Sequence, residues 1–133
     1  MFNQFEGRQP LIIIPTILKS GTYDLAVVNA RNLTTIYFTT RVTYHASATG
    51  AITVSAYFSP DGKNFDTVAL GSIVITVSAG ATVQRTTSLS TPDSGWCRIV
   101  AVNADDTYNA TDLMLWSCIV NRFVEDRASL PST

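Results

Sequence analysis

The stretch AITVSAYFSPDGKNF, residues 51–65, indicates how this chain folds. Its apolar side chains recur at every second position from Ile52 to Phe58, so they would share one face of a half-buried strand. Turn chemistry follows, because Pro60 presets φ for a type I turn and Gly62 accepts the positive φ that comes after it. The stretch predicts a strand that ends in a tight turn, with FDTVAL, residues 65–70, as the returning strand.

The same turn carries oxygen-bearing side chains, which raises the alternative of a cation site. A calcium loop needs several oxygen ligands at alternate positions, whereas here Lys63 stands between Asp61 and Asn64 and would repel a metal ion. Zinc is disfavoured as well, because the chain has two cysteines without a CxxC spacing and one histidine, His45. The sequence therefore predicts a structural turn, no metal site and no cofactor.

Period-2 alternation recurs along most of the chain, and clusters of Gly, Pro, Asn and Asp separate the alternating runs. The clearest further runs are TTIYFTTRVTY (34–44), TVQRTTSL (82–89), WCRIVAVN (96–103) and LMLWSCIVNRF (113–123). About eight short strands at this spacing predict an all-β protein, a single antiparallel β-sandwich that is jelly-roll-like and has an extended N-terminal arm. The predicted divisions are an arm at 1–10, the sandwich at 11–124 and a polar C-terminal tail at 125–133.

Composition narrows the classes of partner. The 133 residues are 46% hydrophobic and 14% charged, with a net charge of -1 and no run of Lys or Arg. That balance argues against nucleic-acid binding, which needs clustered positive charge. No apolar run approaches the ~20 residues that cross a bilayer, and the N-terminus lacks a signal-peptide pattern. Low charge fits either a surface covered by a partner or a sandwich rich in surface Thr and Ser.

Two late runs, WCRIVAVN and LMLWSCIV, are apolar on both faces. Such a strand either lies in the centre of a sheet or is covered by another subunit, and both interpretations stay open. Each run contains one cysteine, Cys97 or Cys118. Free cysteine usually behaves as a small buried hydrophobe, although a disulfide between the two remains possible.

Catalysis is not indicated. The chain has no nucleophile motif, and its one histidine lies at the end of a predicted strand beside a turn, which favours an exposed side chain. Carboxylates that could form a glycosidase pair all lie in turn clusters, where Asp is ordinary turn chemistry: Asp61, Asp66, Asp105, Asp106 and Asp112. We expect no enzyme, no catalytic residue and no small-molecule substrate.

The runs FSPDGKNF and WCRIVAVN, followed by a closing apolar strand, resemble a known family over about residues 22–123. They look like the small jelly-roll or β-sandwich accessory structural proteins of tailed bacteriophage virions, although Phe65 stands where many have Trp and Cys97 where many have another apolar residue. The resemblance implies an accessory role in the virion: a capsid decoration or cement protein that binds the outer surface of the phage head, or a small tail or head-completion component. Its partners would be its own copies, as a homotrimer, and the major capsid protein, and it would be assembled in the host cytoplasm. The alternative is a carbohydrate- or receptor-binding module of a phage tail or fibre.

The N-terminal segment MFNQFEGRQPLIIIPTIL is too apolar for a free tail, and Pro10 and Pro15 keep it extended. We expect residues 11–18 to pair with the domain's own sheet and residues 1–9 to reach a neighbouring molecule. The predicted partner-binding residues are Phe2, Phe5, Leu11, Ile12, Ile13, Trp96 and Trp116.

Overall fold

The computed structural model describes residues 10–31, 34–90 and 94–121. These residues form eight strands and no helix, which confirms the predicted all-β sandwich. Within the part of the chain that is described, no helix could cross a membrane. The strands are β1 Ile12–Ile17, β2 Thr22–Arg31, β3 Thr34–Thr43, β4 Ile52–Ser59, β5 Gly71–Ile75, β6 Thr82–Ser90, β7 Ser94–Asn103 and β8 Ala110–Asn121.

The strands form two four-stranded antiparallel sheets. Sheet A has the order β1-β8-β3-β6, and sheet B has the order β2-β7-β4-β5. The chain changes sheet at most of its connections, which is the wound arrangement of a jelly roll. The two runs that are apolar on both faces become β7 and β8, and each pairs with a strand on both sides. Their position in the centre of a sheet accounts for much of their apolar character.

The core lies between the inner faces of the two sheets. Strand alternation places one set of side chains there, and full burial of each large member stabilises the fold by about 1.5–3 kcal/mol. The most buried members include Ile36, Phe38, Val42, Ile52, Ile75, Cys97, Ile99, Leu113 and Leu115. Cys97 is a free thiol, and burial raises its pKa to about 11. The interpretation of Cys97 as a small buried hydrophobe is confirmed, and the side chain of Cys118 lies outside the described part of the chain.

Tyr44 connects the two sheets across the core. Its hydroxyl donates to the carbonyl oxygen of Ile75 and accepts from the backbone N–H of Ile52 at 2.9 Å. The side chain is 3% exposed, and this burial raises the pKa of Tyr44. A strand-end tyrosine from sheet A thus satisfies two backbone groups of sheet B that would otherwise lack a partner in the core.

The segment FDTVAL is not the returning strand that its pattern predicts. The residues between β4 and β5 are irregular, and Val68 is 78% exposed. Only two backbone bonds reach β4 from this segment, from Asp66 N to Phe58 O at 2.9 Å and from Leu70 N to Ala56 O at 2.7 Å. The residues between these two bonds loop outward, and regular pairing begins at Gly71 opposite Ala56. The hydrophobic alternation was right for β4 and wrong for the segment that follows the turn.

The apolar segment after Pro10 forms an edge strand. Residues 12–17 pair with β8, in register from Ile12 opposite Leu115 to Ile17 opposite Ala110. This matches the expectation that residues 11–18 pair with the domain's own sheet. The arm before it, with Phe2 and Phe5, and the tail at 125–133 lie outside the described residues, so the domain boundaries stay a prediction.

Candidate functional site

The outer face of sheet A carries exposed apolar side chains. The register places Ile13 opposite Met114, and Met114 opposite Arg41 of β3. The N–H of Leu11 donates to the carbonyl oxygen of Leu115 at 2.7 Å, which continues the pairing of β1 with β8. We call Leu11, Ile13, Arg41, Met114 and Trp116 the apolar face of sheet A. Leu11 is 54% exposed and Ile13 is 51% exposed, so this face offers apolar surface to a partner.

Arg41 supplies the positive charge of this face. Its guanidinium carbon lies 5.1 Å from the ring centroid of Trp116, and its Nη2 lies 3.2 Å from the Sδ of Met114. The guanidinium therefore covers part of the tryptophan, in a cation–π arrangement. Leu11 and Ile13 beside it remain open, so the face combines an anchored cation with two exposed aliphatic side chains.

The structure brings together three of the predicted partner-binding residues and separates others. Leu11, Ile13 and Trp116 share the apolar face of sheet A. Ile12 packs against the core, opposite the buried Leu115. Trp96 belongs to β7 in sheet B, where it lies beside Gly62. Phe2 and Phe5 lie outside the described residues.

Sequence reasoning missed Arg41 and Met114 as members of this face. Nothing in the runs that contain them shows that residues 73 positions apart meet. Only the pairing of β3 with β8 brings the two side chains together. The available signal was the alternation within TTIYFTTRVTY, which puts Arg41 on the face opposite to Ile36 and Phe38.

The turn after β4 is held by the carboxylate of Asp61. Its Oδ1 accepts from the N–H groups of Lys63 and Asn64 at 2.8 and 2.9 Å, and from the hydroxyl of Ser59 at 2.8 Å. These donors hold the pKa of Asp61 well below its usual range. Gly62 has a φ of 77°, as the turn prediction requires. The carboxylate thus satisfies N–H groups of its own turn, which supports the structural interpretation over a cation site.

A second carboxylate holds the opposite end of the sandwich. Asp105 is 3% exposed, and its Oδ2 accepts from Thr49 N and Gly50 N at 2.9 and 3.1 Å. Its Oδ1 accepts from Thr107 N and Tyr108 N, both at 2.9 Å. These four backbone donors hold the pKa of Asp105 well below its usual range. Asp105 therefore connects the β3–β4 and β7–β8 loops.

The packing around Asp105 is close. A Cβ at Gly50 would lie 2.5 Å from the backbone nitrogen of Asp105, so only glycine fits there. Ser20 N donates to the carbonyl oxygen of Asp105 at 2.8 Å, which adds the β1–β2 loop. Nearby, the exposed ring of His45 stacks on Tyr108 with centroids 4.4 Å apart. This end is a structural junction of three loops.

The other candidate carboxylates are dispersed. Asp106 accepts from the Thr107 hydroxyl at 3.0 Å, and Asp112 occupies a left-handed conformation with φ 54° in β8. In the described ranges, no group of three or more His, Cys, Asp or Glu side chains is placed to hold a metal ion. Asp61 and Asp105 accept the most hydrogen bonds among these carboxylates, and they stabilise the backbone of the loops around them.

Comparison with known proteins gives a likeness of fold. No protein-family model matches the sequence, and no curated protein matches it. Similar solved structures come from infectious bursal disease virus. Its VP2 subviral particle aligns with TM-score 0.50 at 10% identity, over 84% of this chain and 30% of that chain. A mutant VP2 from T=1 particles aligns with TM-score 0.51 at 8% identity, over 84% and 29% of the two chains.

These similar structures are proteins of viral particles, from this virus rather than from a tailed bacteriophage. The chain spans about 30% of the length of the VP2 protein that it matches. At 10% identity the likeness concerns the path of the backbone and does not extend to particular residues. This chain therefore has the all-β, jelly-roll-like fold that viral particle proteins also use.

Proposed function

We propose that this chain is a non-enzymatic structural protein of a virus particle. More specifically, it is a capsid decoration or cement protein that binds the outer surface of a phage head through its own copies and the major capsid protein. A fold shared with viral particle proteins supports this proposal at the level of architecture. Fold alone does not determine function, so the proposal depends on a surface that suits assembly.

The observation that carries the proposal is the apolar face of sheet A. Ile13 lies on the edge strand β1 and Leu11 just before it, each about half exposed and next to the anchored pair of Arg41 and Trp116. Apolar side chains flanked by an arginine and a tryptophan are typical of protein–protein contacts. A stable contact would bury at least ~1,000 Å² in total. This face is where we expect a neighbouring subunit, most simply in a trimer, and we expect Phe2 and Phe5 to contribute to the same contact.

The alternative of a sugar- or receptor-binding module receives less support from the aromatic rings. Stacking on a sugar needs a free ring face beside polar groups, and in this chain several large rings have a neighbour on one face. Trp116 lies under Arg41, Tyr57 under Arg98, and Tyr108 against His45. Trp96 packs beside Gly62. The arrangement favours assembly over stacking as the main role.

The test is the mass of the purified chain in solution, measured by light scattering across a concentration series. A double variant, Leu11→Ser with Ile13→Thr, removes the exposed aliphatic groups and keeps a β-branched residue in β1. Burial of two half-exposed side chains is worth about 2 kcal/mol together, so we expect roughly 30-fold weaker association. Val68→Thr is the matched control, because Val68 is exposed on a loop away from this face.

Two results would refute the proposal. One is a mass of 14.4 kDa at every concentration, together with no binding to particles stripped of the protein. The other is an equal loss of association in the double variant and in the Val68→Thr control. In a separate experiment, deletion of residues 1–9 should leave a folded sandwich that associates more weakly, and unchanged affinity would remove the arm from the contact.

A further inference from the structure

The outer face of sheet B contains a groove that the proposed assembly role does not use. The groove surrounds Arg98 of β7 and has a volume of about 560 Å³, within the range of small-ligand sites. Its other lining residues come from β4 and the loop after it: Tyr57, Lys63, Asn64, Phe65, Asp66 and Thr67. We call it the Arg98 groove. The Arg98 groove and the apolar face of sheet A therefore lie on opposite sides of the sandwich.

Arg98 is held in place by two aromatic rings. Its guanidinium carbon lies 5.6 Å from the ring centroid of Tyr57 and 5.5 Å from that of Phe65. Tyr57 is the direct cross-strand neighbour of Arg98, so strand pairing fixes this contact. Phe65 follows the Asp61 turn, whose hydrogen bonds determine where that ring lies. Stacking of this kind pre-organises the planar guanidinium and lowers the entropic cost of a contact made at its edge.

The guanidinium of Arg98 forms an ion pair with Asp24 and, within the part of the chain that is described, has one buried donor without a hydrogen-bond partner. Its Nε is buried and has no hydrogen-bond partner among the described residues. The Oδ1 of Asp24 is 3.8 Å from that nitrogen, beyond hydrogen-bond distance, and the Asp24 side chain is 74% exposed. The Arg98 side chain is itself 40% exposed. An arginine that is held by two rings and is partly exposed is suited to a carboxylate, which accepts N–H bonds from the exposed edge of the guanidinium.

The remaining lining indicates what else the ligand carries. The lining residues Lys63, Arg98 and Asp66 have a net charge of +1, and Asp24, outside the lining, forms an ion pair with Arg98 that offsets part of its charge. The amide nitrogen of Asn64 is engaged by Asp61 at 2.8 Å, which leaves its carbonyl oxygen as an acceptor. Thr67 adds a hydroxyl, which both donates and accepts. An acidic side chain of a protein needs only the arginine, whereas a sugar acid uses hydroxyl partners around it as well.

We propose that the Arg98 groove binds a carboxylated sugar, with the carboxylate on Arg98 and the sugar hydroxyls on Asn64, Lys63 and Thr67. This inference is independent of the assembly role, because no residue of the groove belongs to the apolar face of sheet A. The recognition depends on charge and hydrogen bonds rather than on a sugar stacked on a free ring.

The experiment is a titration of the full chain with D-glucuronate, followed by NMR of backbone and arginine N–H signals. D-glucose and acetate serve as probes that carry only the hydroxyls or only the carboxylate. We expect saturable shifts at the groove residues with glucuronate and at least tenfold weaker binding of either partial probe. Arg98→Gln should weaken glucuronate binding at least tenfold, and Arg98→Lys nearly as much, because a single ammonium lacks the planar fork.

Arg41→Gln is the matched control, since Arg41 also lies over an aromatic ring on an outer sheet face. It should leave glucuronate binding unchanged. Thr67→Val removes a hydroxyl from the lining of the groove and leaves Arg98 unchanged. It should weaken glucuronate binding several-fold. Equal responses to glucuronate and glucose would overturn the proposal, as would equal losses in Arg98→Gln and Arg41→Gln. Tighter Arg98-dependent binding of a hexaglutamate peptide would also overturn it and would identify the groove as a protein contact.

Discussion

Two aspartates hold the two ends of this sandwich, and they do so over different distances in sequence. Asp61 accepts hydrogen bonds from residues no more than three positions away. Asp105 accepts from Thr107 and Tyr108 nearby, and also from Thr49 and Gly50, which precede it by more than fifty positions. The carboxylates have the same chemistry and similarly lowered pKa values. One network forms within a single turn, and the other requires the folded sandwich.

The difference indicates which end depends on tertiary structure. Asp61 is exposed, so water replaces its hydrogen bonds when they are lost. Asp105 is buried, and the N–H groups that it accepts from have little access to another acceptor. We therefore expect substitutions at the Asp105 junction to affect the whole domain and substitutions in the Asp61 turn to act locally.

The largest effect should come from Asp105→Ala. It removes the acceptor from four backbone N–H groups and leaves space where three loops meet. We expect a fall in Tm on the order of 10 °C, measured by circular dichroism. Asp105→Asn is the isosteric control, and its Tm should fall less because its one carbonyl oxygen still accepts hydrogen bonds from backbone N–H groups. A Tm for Asp105→Ala within a degree of the wild type would show that the junction does not support the fold.

Low pH should decrease the stability of the domain, because both carboxylates become protonated. Their folded-state pKa values lie below the unfolded value of about 3.9. The unfolded chain therefore takes up protons first as the pH falls, so the stabilisation is complete above about pH 5 and decreases progressively as the pH falls from there towards the folded-state pKa values. Urea unfolding at pH 6, 4 and 3 measures this loss. The free energy of unfolding of Asp105→Asn should fall less steeply with decreasing pH than that of the wild type. If the two proteins lost stability in parallel, Asp105 would not contribute to the acid sensitivity.

An intermediate effect is expected for Gly62→Val. A β-branched residue at a φ of 77° is strained by about 1–3 kcal/mol. A comparison of Gly62→Ala with Gly80→Ala separates backbone strain from steric contact. Gly80 has a similar φ of 75°, but its added Cβ meets nothing closer than 3.6 Å. At Gly62 the Cβ would lie 3.0 Å from Nε1 of Trp96. Urea unfolding should show the larger loss at Gly62, and equal losses would mean that the indole moves aside freely.

The smallest effect should come from Asp61→Ala. The substitution removes acceptors from an exposed turn, and solvent supplies replacements, so we expect a fall in Tm on the order of 3 °C. Association of the chain should be unchanged, because the turn is not part of the apolar face of sheet A. Loss of association in a folded Asp61→Ala variant would show that the turn belongs to a contact surface.

The alternation in TTIYFTTRVTY and AITVSAYF predicted which side chains enter the core, and the structure buries Ile36, Phe38, Ile52 and Val54 as expected. The same reasoning failed for FDTVAL, which meets β4 only through the backbone bonds of Asp66 and Leu70 and loops outward between them, because a two-residue period does not specify whether a run pairs with its neighbour. The candidate site was predicted in part. Leu11, Ile13 and Trp116 were recognised as exposed or surplus apolar residues, whereas Arg41 and the groove around Arg98 were not.

The sequence by itself determined most of the strands, the turn at Gly62 and the edge position of a strand that contains Pro15. Those features follow from dihedral preferences and from a two-residue period, which act over a few positions. Only the tertiary structure decided that β8 lies between β1 and β3, that Asp105 joins loops distant in sequence, and that Tyr57 and Phe65 enclose Arg98. Such contacts depend on sheet order and register, because the residues that meet are far apart in the chain and no local rule relates them.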